Sequence, residues 1–257
     1  DALPVSLNTP DRPLVPEAFA EMQRLANRDL TALSLKEAHE SSVSSIAWSR
    51  DGTSVISGSF DGTIGVWDRA TGLELQQIVC HCDFVNSVDI SPEGRQIVSS
   101  SDDGTLRLWD RTSGEELKIL TETETGWMGN AQYASDGTRI LARDNNGSVY
   151  LFDATSLELI RKTPSVFLVP IKASFSGDGS MFVTGSQGGW LHIYRSEDGA
   201  EIADLSHPLY GVRSAIFLHG YALAAIGYMD GTIRLWDIDA KEIQREMKAH
   251  SGPITHL

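Results

Sequence analysis

The chain has 257 residues, a formal net charge of −14, 41% hydrophobic and 22% charged residues, 23 glycines and two cysteines. That length fits one large all-β domain or two ordinary ones, and the acidic balance argues against a generic phosphate-backbone binder, which shows a basic surface. No window of about 18 apolar residues exists, which excludes a transmembrane helix, and two cysteines cannot build a disulfide framework.

Along the chain, Asp1 to Pro16 carries four prolines and reads as an extended segment. Pro16 to Leu25 follows as a short amphipathic helix with Pro in its first turn and Phe19, Met22 and Leu25 on one face. That face is expected to dock on the rest of the chain or, alternatively, to serve as a partner-binding arm. Leu30 to Lys36 reads as an orphan strand.

From there the sequence repeats itself. SGSFDGTIGVWD ends at Asp68, SSSDDGTLRLWD at Asp110 and AIGYMDGTIRLWD at Asp237; weaker copies, ARDNNGSVYLFD and TGSQGGWLHIYR, end at Asp153 and Arg195. The turn positions Asp61, Asp103, Asn146, Gly188 and Asp230 are spaced by 42, 43, 42 and 42 residues. Each copy has one grammar. An alternating run such as Val43 to Trp48 is a half-buried strand, and Ser49-Arg50-Asp51-Gly52 makes a turn. A second strand runs from Ser54 to Ser59, a tight Asp-Gly turn of hairpin type follows, and a third strand ends in Trp-Asp. A polar fourth strand, Glu74 to Val79, leads into the next copy. Four short strands per unit at this period predict the blade of a β-propeller.

After Asp237 a further fourth strand, Glu242 to Lys248, precedes Ala249 to Leu257, which begins a sixth copy. The expectation is therefore an N-terminal arm over 1–30 and a propeller over 31–257, with five full blades, the start of a sixth, and an incomplete C-terminal end. The propeller is expected to be part of a longer polypeptide with six, seven or more blades, or to be completed by a partner chain.

The recurring turn and Trp-Asp dipeptide resemble the WD40 family over about 31–257. The resemblance implies a buried tetrad in each blade: a His before the first strand, a Ser or Thr in the second, an Asp in the tight turn and a Trp ending the third. The matching residues are His39, Ser57, Asp61 and Trp67 in copy one, and His81, Ser99, Asp103 and Trp109 in copy two. A buried Asp beside a His is tolerable only when imidazole, hydroxyl and backbone donors satisfy it. Copy three has Glu124, Ala142, Asn146 and Phe152 at these positions, and copy four Val166, Thr184, Gly188 and Tyr194. Copy five keeps Asp230 and Trp236 but has Ile226 for the hydroxyl and a displaced His207. Blades three and four are expected to lean on apolar packing and to open first.

The stretch Val79-Cys80-His81-Cys82-Asp83-Phe84 looks like a metal or redox clip. A tetrahedral site wants more ligands than it offers, and the tetrad accounts for His81, so no metal and no cofactor are expected. There is no G-x-S-x-G, P-loop or H-E-x-x-H, and no catalytic residue is expected. Asp144 to Ser148 lacks the Glu of a calcium loop.

The resemblance places partner contacts on the face of tight turns, at the residue before the turn Asp and at three and five after the tetrad His. This gives Ser42, Ser44 and Phe60; Phe84, Asn86 and Asp102; Trp127, Gly129 and Asn145; Val169, Ile171 and Gln187; and Gly211, Arg213 and Met229. So many large apolar groups with an Arg suit a protein or peptide interface. The expected function is a non-enzymatic, intracellular (cytoplasmic or nuclear) scaffold for protein or peptide partners, within a multi-protein complex, without direct nucleic-acid contact or a membrane span. The alternatives are a regulatory propeller joined to an effector domain outside this chain, and a small-molecule or enzymatic propeller.

Overall fold

The computed structural model describes residues 38–79, 81–122, 126–164, 173–186, 188–206, 211–218 and 223–254. The expected helix at Pro16 to Leu25 and strand at Leu30 to Lys36 lie outside them, as do Cys80, Glu124, Val166 and His207.

Blade 1 is β1 (Val43–Trp48), β2 (Ser54–Ser59), β3 (Thr63–Asp68) and β4 (Glu74–Val79). Blade 2 is β5 (Val85–Ile90), β6 (Gln96–Ser101), β7 (Thr105–Asp110) and β8 (Glu116–Glu122). Blade 3 is β9 (Met128–Tyr133), β10 (Arg139–Asp144), β11 (Val149–Asp153) and β12 (Leu159–Lys162). Blade 4 is β13 (Ser174–Phe175), β14 (Met181–Gly185), β15 (Leu191–Arg195) and β16 (Glu201–Asp204). Blade 5 is β17 (Val212–Phe217), β18 (Leu223–Tyr228), β19 (Thr232–Asp237) and β20 (Glu242–Lys248). Each blade is a four-stranded antiparallel meander, paired in chain order. The described residues form the blades of an all-β propeller.

Burial follows from sheet stacking. Middle strands have a neighbour on both faces and are buried almost throughout, as in β6, whereas the outermost strands β4 and β20 are mostly exposed. Blade 1 offers Ile56, Ile64 and Val66 to Val88, Ile90, Ile97 and Trp109 of blade 2. Blade 2 offers Val98, Leu106 and Leu108 to Ala131, Tyr150 and Phe152 of blade 3. Leu141, Val149 and Leu151 meet Phe182 and Tyr194 of blade 4, and Val183, Leu191 and Ile193 meet Ala215, Ile226 and Tyr228 of blade 5. Ile46 and Trp48 of β1 are exposed, although Val88 and Ile90 at the same positions of β5 are buried.

Hydrogen bonds stitch the innermost strands across these seams. Ser45 Oγ accepts Val88 N–H at 3.2 Å, Ser87 Oγ donates to Ala131 O at 3.2 Å, and Asp89 Oδ2 accepts Tyr133 N–H at 2.7 Å. Gln132 Nε2 donates to Ala173 O at 3.1 Å. On the opposite side, Arg139 of blade 3 clamps blade 4: its Nε donates to Ser196 O at 2.9 Å and its Nη2 to Glu197 O at 3.3 Å, while Nη1 pairs with Asp153 at 2.9 Å.

Candidate functional site

Two features of the repeat shape the face that carries the tight turns. The first is the tetrad. In blade 2, Trp109 Nε1–H donates to Ser99 Oγ at 2.8 Å, and the same oxygen lies 2.7 Å from His81 Nε2. With one lone pair taken by the indole, the hydroxyl proton is free to point at the imidazole. His81 therefore accepts at Nε2 and carries its proton on Nδ1, which faces Asp103 Oδ2 at 2.8 Å. Burial pushes the His81 pKa below its ordinary value, against the pull of Asp103, which fits this neutral tautomer. For Asp103, burial raises the pKa, but the Thr105 hydroxyl, His81 and backbone donors outweigh it and hold the carboxyl at about 2. Asp103 Oδ2 also accepts the backbone N–H of Cys82 at 3.3 Å, so the carboxylate fixes the loop that follows His81.

Blade 1 has the same wiring: Trp67 Nε1 to Ser57 Oγ at 2.8 Å, Ser57 Oγ to His39 Nε2 at 2.6 Å, and His39 Nδ1 to Asp61 Oδ2 at 3.2 Å. Glu40 N–H donates to Asp61 Oδ2 at 2.9 Å.

The other blades replace these groups with different ones. In blade 3, buried Asp144 accepts Ser148 N–H at 2.8 Å and Tyr150 OH at 3.1 Å, a polar pin on residues the tetrad pattern does not use. Blade 3 therefore does not rest on apolar packing alone. In blade 5, Trp236 Nε1 finds Tyr228 OH at 3.4 Å, and the Arg234 guanidinium lies 4.5 Å from the Tyr228 ring and 2.6 Å from Glu246. Blade 4 stacks Trp190, His192 and Tyr194 in sequence, with Arg161 over Tyr194 at 4.9 Å. Beside that ladder lies a slot of about 150 Å³, bounded by Thr163, Thr184 and Glu201.

The second feature is a recurrent β-bulge in the innermost hairpin. Pairing runs Val43↔Ser59 then Ser45↔Gly58, Val85↔Ser101 then Ser87↔Ser100, and Val212↔Tyr228 then Ser214↔Gly227. The residues passed over are Ser44, Asn86 and Arg213; in β9 the residue passed over is Gly129. A bulge re-aims the side chain it carries. Ser44 Oγ donates to Val85 O and to Gly58 O, and Asn86 Nδ2 bridges Asp102 Oδ1 at 2.6 Å and Met128 O at 2.8 Å. These two side chains are thus spent on the next blade's backbone.

The apolar members are placed differently. Phe60, Phe84 and Trp127 are 39%, 45% and 39% exposed, and Met229 is exposed as well. Phe60 and Phe84, from consecutive blades, stack with centroids 4.9 Å apart and planes tilted by 32°. Gly62 makes this meeting possible. Its φ is +81°, and a Cβ there would lie 3.0 Å from His81 O and 3.4 Å from Asp83 O. Without that Cβ, the blade 1 turn carrying Phe60 presses against the loop carrying Phe84, and His81 N–H donates to Gly62 O at 3.2 Å. Phe60 N–H donates to Ser42 O at 3.0 Å, Asp102 N–H to Phe84 O at 2.9 Å and Asn145 N–H to Trp127 O at 3.0 Å, so each turn is bonded to the loop of its own blade. Cys82 is exposed beside Phe84 as a free thiol. Val169, Ile171 and Gln187 lie outside the described residues.

Among the described residues no three or more His, Cys, Asp or Glu side chains converge as metal ligands, and no helix is long and apolar enough to cross a membrane.

Residues 31–68, 72–110 and 200–237 match the family model described as WD domain, G-beta repeat. The chain is 33% identical over 96 residues to WD repeat-containing protein 82 of Drosophila melanogaster, a match covering 35% of this chain and 30% of that protein. It superimposes on the crystal structure of the computationally designed Ika8 protein with a TM-score of 0.73 at 24% identity, covering 86% of this chain and 66% of the other. The chain thus spans less than a third of the natural relative and just under two thirds of the designed one.

Proposed function

Given that this chain belongs to the WD40-repeat family, we propose that it is a non-enzymatic scaffold that binds protein or peptide partners through the face of its tight turns. One observation carries the reading: Phe60, Phe84 and Trp127 are half-exposed on loops whose backbone is tied down from below. Rings already held in place lose little freedom on binding, and large aromatic groups supply most of the energy at interfaces. The net charge of −14 disfavours nucleic acid as partner, and the exposed thiol of Cys82 fits a reducing, intracellular compartment.

The test is a pull-down with mass spectrometry comparing the chain with a Phe60→Ala/Phe84→Ala/Trp127→Ala variant whose folding is checked by circular dichroism. Loss of specific partners by the folded variant supports this face; an unchanged partner list rejects it.

A further inference from the structure

We propose that the Phe60–Phe84 pair anchors a docking site for a linear, basic peptide segment: one aromatic or aliphatic side chain rests on the ring pair, and flanking Lys or Arg residues face Glu40, Asp83 and Asp102. The proposal rests on the scaffold reading above and names the chemistry of its partner.

The charge pattern selects the occupant. Glu40, Asp83 and Asp102 are joined to the two phenyl groups through the backbone: Phe84 N–H donates to Asp83 Oδ1 at 2.8 Å, Asp102 N–H donates to Phe84 O, and Glu40 N–H caps the carboxylate of Asp61, next to Phe60. Glu40 and Asp83 are exposed and Asp102 is half-exposed. Arg107, on the strand that leaves the blade 2 turn, is engaged with Glu116 at 2.7 Å and Asp103 at 3.4 Å. The patch is therefore an apolar centre in a negative field. An anionic lipid surface or a nucleic acid is repelled by it, and a second copy of this chain, itself at −14, brings no compensating charge. A segment with Lys or Arg beside an apolar residue satisfies both parts at once, and Lys or Arg can also lie over the exposed ring faces.

The two rings are surface groups on loops of neighbouring blades, so the segment lies extended across the seam between blades 1 and 2. The ring pair is bounded by Asp102 on the blade 2 turn and Glu40 on the blade 1 entry loop, and this places acidic groups on both sides of the anchor.

The probe is a short fluorescein-labelled peptide with one Phe between two Lys-Arg pairs, titrated by fluorescence anisotropy at low and physiological salt. Controls carry Ala in place of the Phe, or Glu and Asp in place of the basic residues. Saturable binding is expected, weakened roughly tenfold by the Ala control, by the acidic control and by Phe60→Ser/Phe84→Ser. The exposed substitution Glu40→Lys should weaken the basic peptide and strengthen the acidic one even if the Phe variant folds poorly, and Asp83→Lys should do the same while also removing the bond that Phe84 N–H donates to Asp83 Oδ1. Bound peptide should also slow alkylation of Cys82, mapped by mass spectrometry. Absence of binding, equal binding of the Ala control, or indifference to both Lys substitutions overturns the proposal. If the triple aromatic variant loses its partners while the basic peptide fails to bind, the partner chemistry is wrong and the scaffold reading stands. If the peptide binds at the ring pair while that variant keeps every partner, the docking site stands and the scaffold reading falls.

Discussion

Removing one oxygen should reveal what the tetrad is worth. Ser99 is fully buried, and its hydroxyl both accepts the indole N–H of Trp109 at 2.8 Å and meets His81 Nε2 at 2.7 Å. Ser99→Ala leaves a buried donor and a buried acceptor without partners while barely changing volume. Each such group costs roughly 1–3 kcal/mol, and with some relaxation the pair should cost about 2–4 kcal/mol. The chain contains a natural control. In blade 3 the hydroxyl and the indole are absent together, as Ala142 and Phe152, and in blade 5, where Ile226 replaces the hydroxyl, Trp236 turns its N–H to Tyr228. A tryptophan N–H is nowhere among the described tetrad positions left without an oxygen. In a Trp109→Phe background, therefore, Ser99→Ala should cost about 1 kcal/mol less, because one of the two orphaned groups is gone. Urea unfolding at pH 7 followed by far-ultraviolet circular dichroism, with unchanged m-values, measures both. A Ser99→Ala loss below about 0.5 kcal/mol, or an equal loss in both backgrounds, would refute the reasoning.

Gly62→Ala should cost roughly 1–2 kcal/mol for its left-handed backbone and more for the close His81 carbonyl, whereas Gly52→Ala, at φ +67° with only the tip of Arg69 nearby, should show the backbone part alone; equal losses by thermal unfolding would remove the role given to that carbonyl. Arg139→Leu should cost about 1–3 kcal/mol and raise amide hydrogen exchange across β13 to β16, since it frees Ser196 O and Glu197 O from their clamp; exchange confined to blade 3 would contradict it. His81 is held neutral by burial, so its folded pKa lies below the ordinary 6.5. Its contribution is complete above about pH 6.5 and declines as pH falls below it, because the unfolded chain then takes up the proton more readily. His81→Gln should flatten that part of the stability profile, and an unchanged slope in pH-dependent urea titrations would count against it.

The blade boundaries were legible because they depend on local chemistry. An Asp-Gly turn at constant period and strands of fixed length need no knowledge of the neighbours; the first, second and fourth strands expected in blade 1 occur with those bounds, and the third ends at Asp68. The groups around His81 were expected only through the resemblance to the WD40 family, whose tetrad maps onto His81, Ser99, Asp103 and Trp109. What the sequence hid depends on register between blades. Ser44 and Asn86 looked like surface contacts, but a bulge turns them into seam bonds, and a bulge leaves no residue signature where Ser, Asn, Gly and Arg occupy it in turn. Asp144 and Tyr150 were invisible as a pin because they occupy positions that are Ser59 and Gly65 in blade 1. Phe60 and Phe84 were each assigned to the face by the resemblance to the WD40 family; that they stack follows only from how closely Gly62 lets two loops approach.

Asp103 joins the two halves of the molecule's behaviour, and this can be separated from stability. Its Oδ2 holds both His81 Nδ1 and the backbone of Cys82, two residues before Phe84, while Ser99 touches only the His81 side of that loop. Asp103→Ala and Ser99→Ala should both lower the urea midpoint, but only Asp103→Ala also frees the backbone that presents Phe84. Under native conditions, far from unfolding, Cys82 should then react with iodoacetamide several times faster in Asp103→Ala than in Ser99→Ala, because local opening of the loop replaces global unfolding as the route to its surroundings. The basic peptide should likewise lose more affinity with Asp103→Ala, since the ring must be ordered again on binding. Equal Cys82 rates in the two variants, after correction for their global stabilities, would mean that the loop is held by its other bonds, His81 N–H to Gly62 O and Asp102 N–H to Phe84 O, and that the carboxylate serves the blade and not the face.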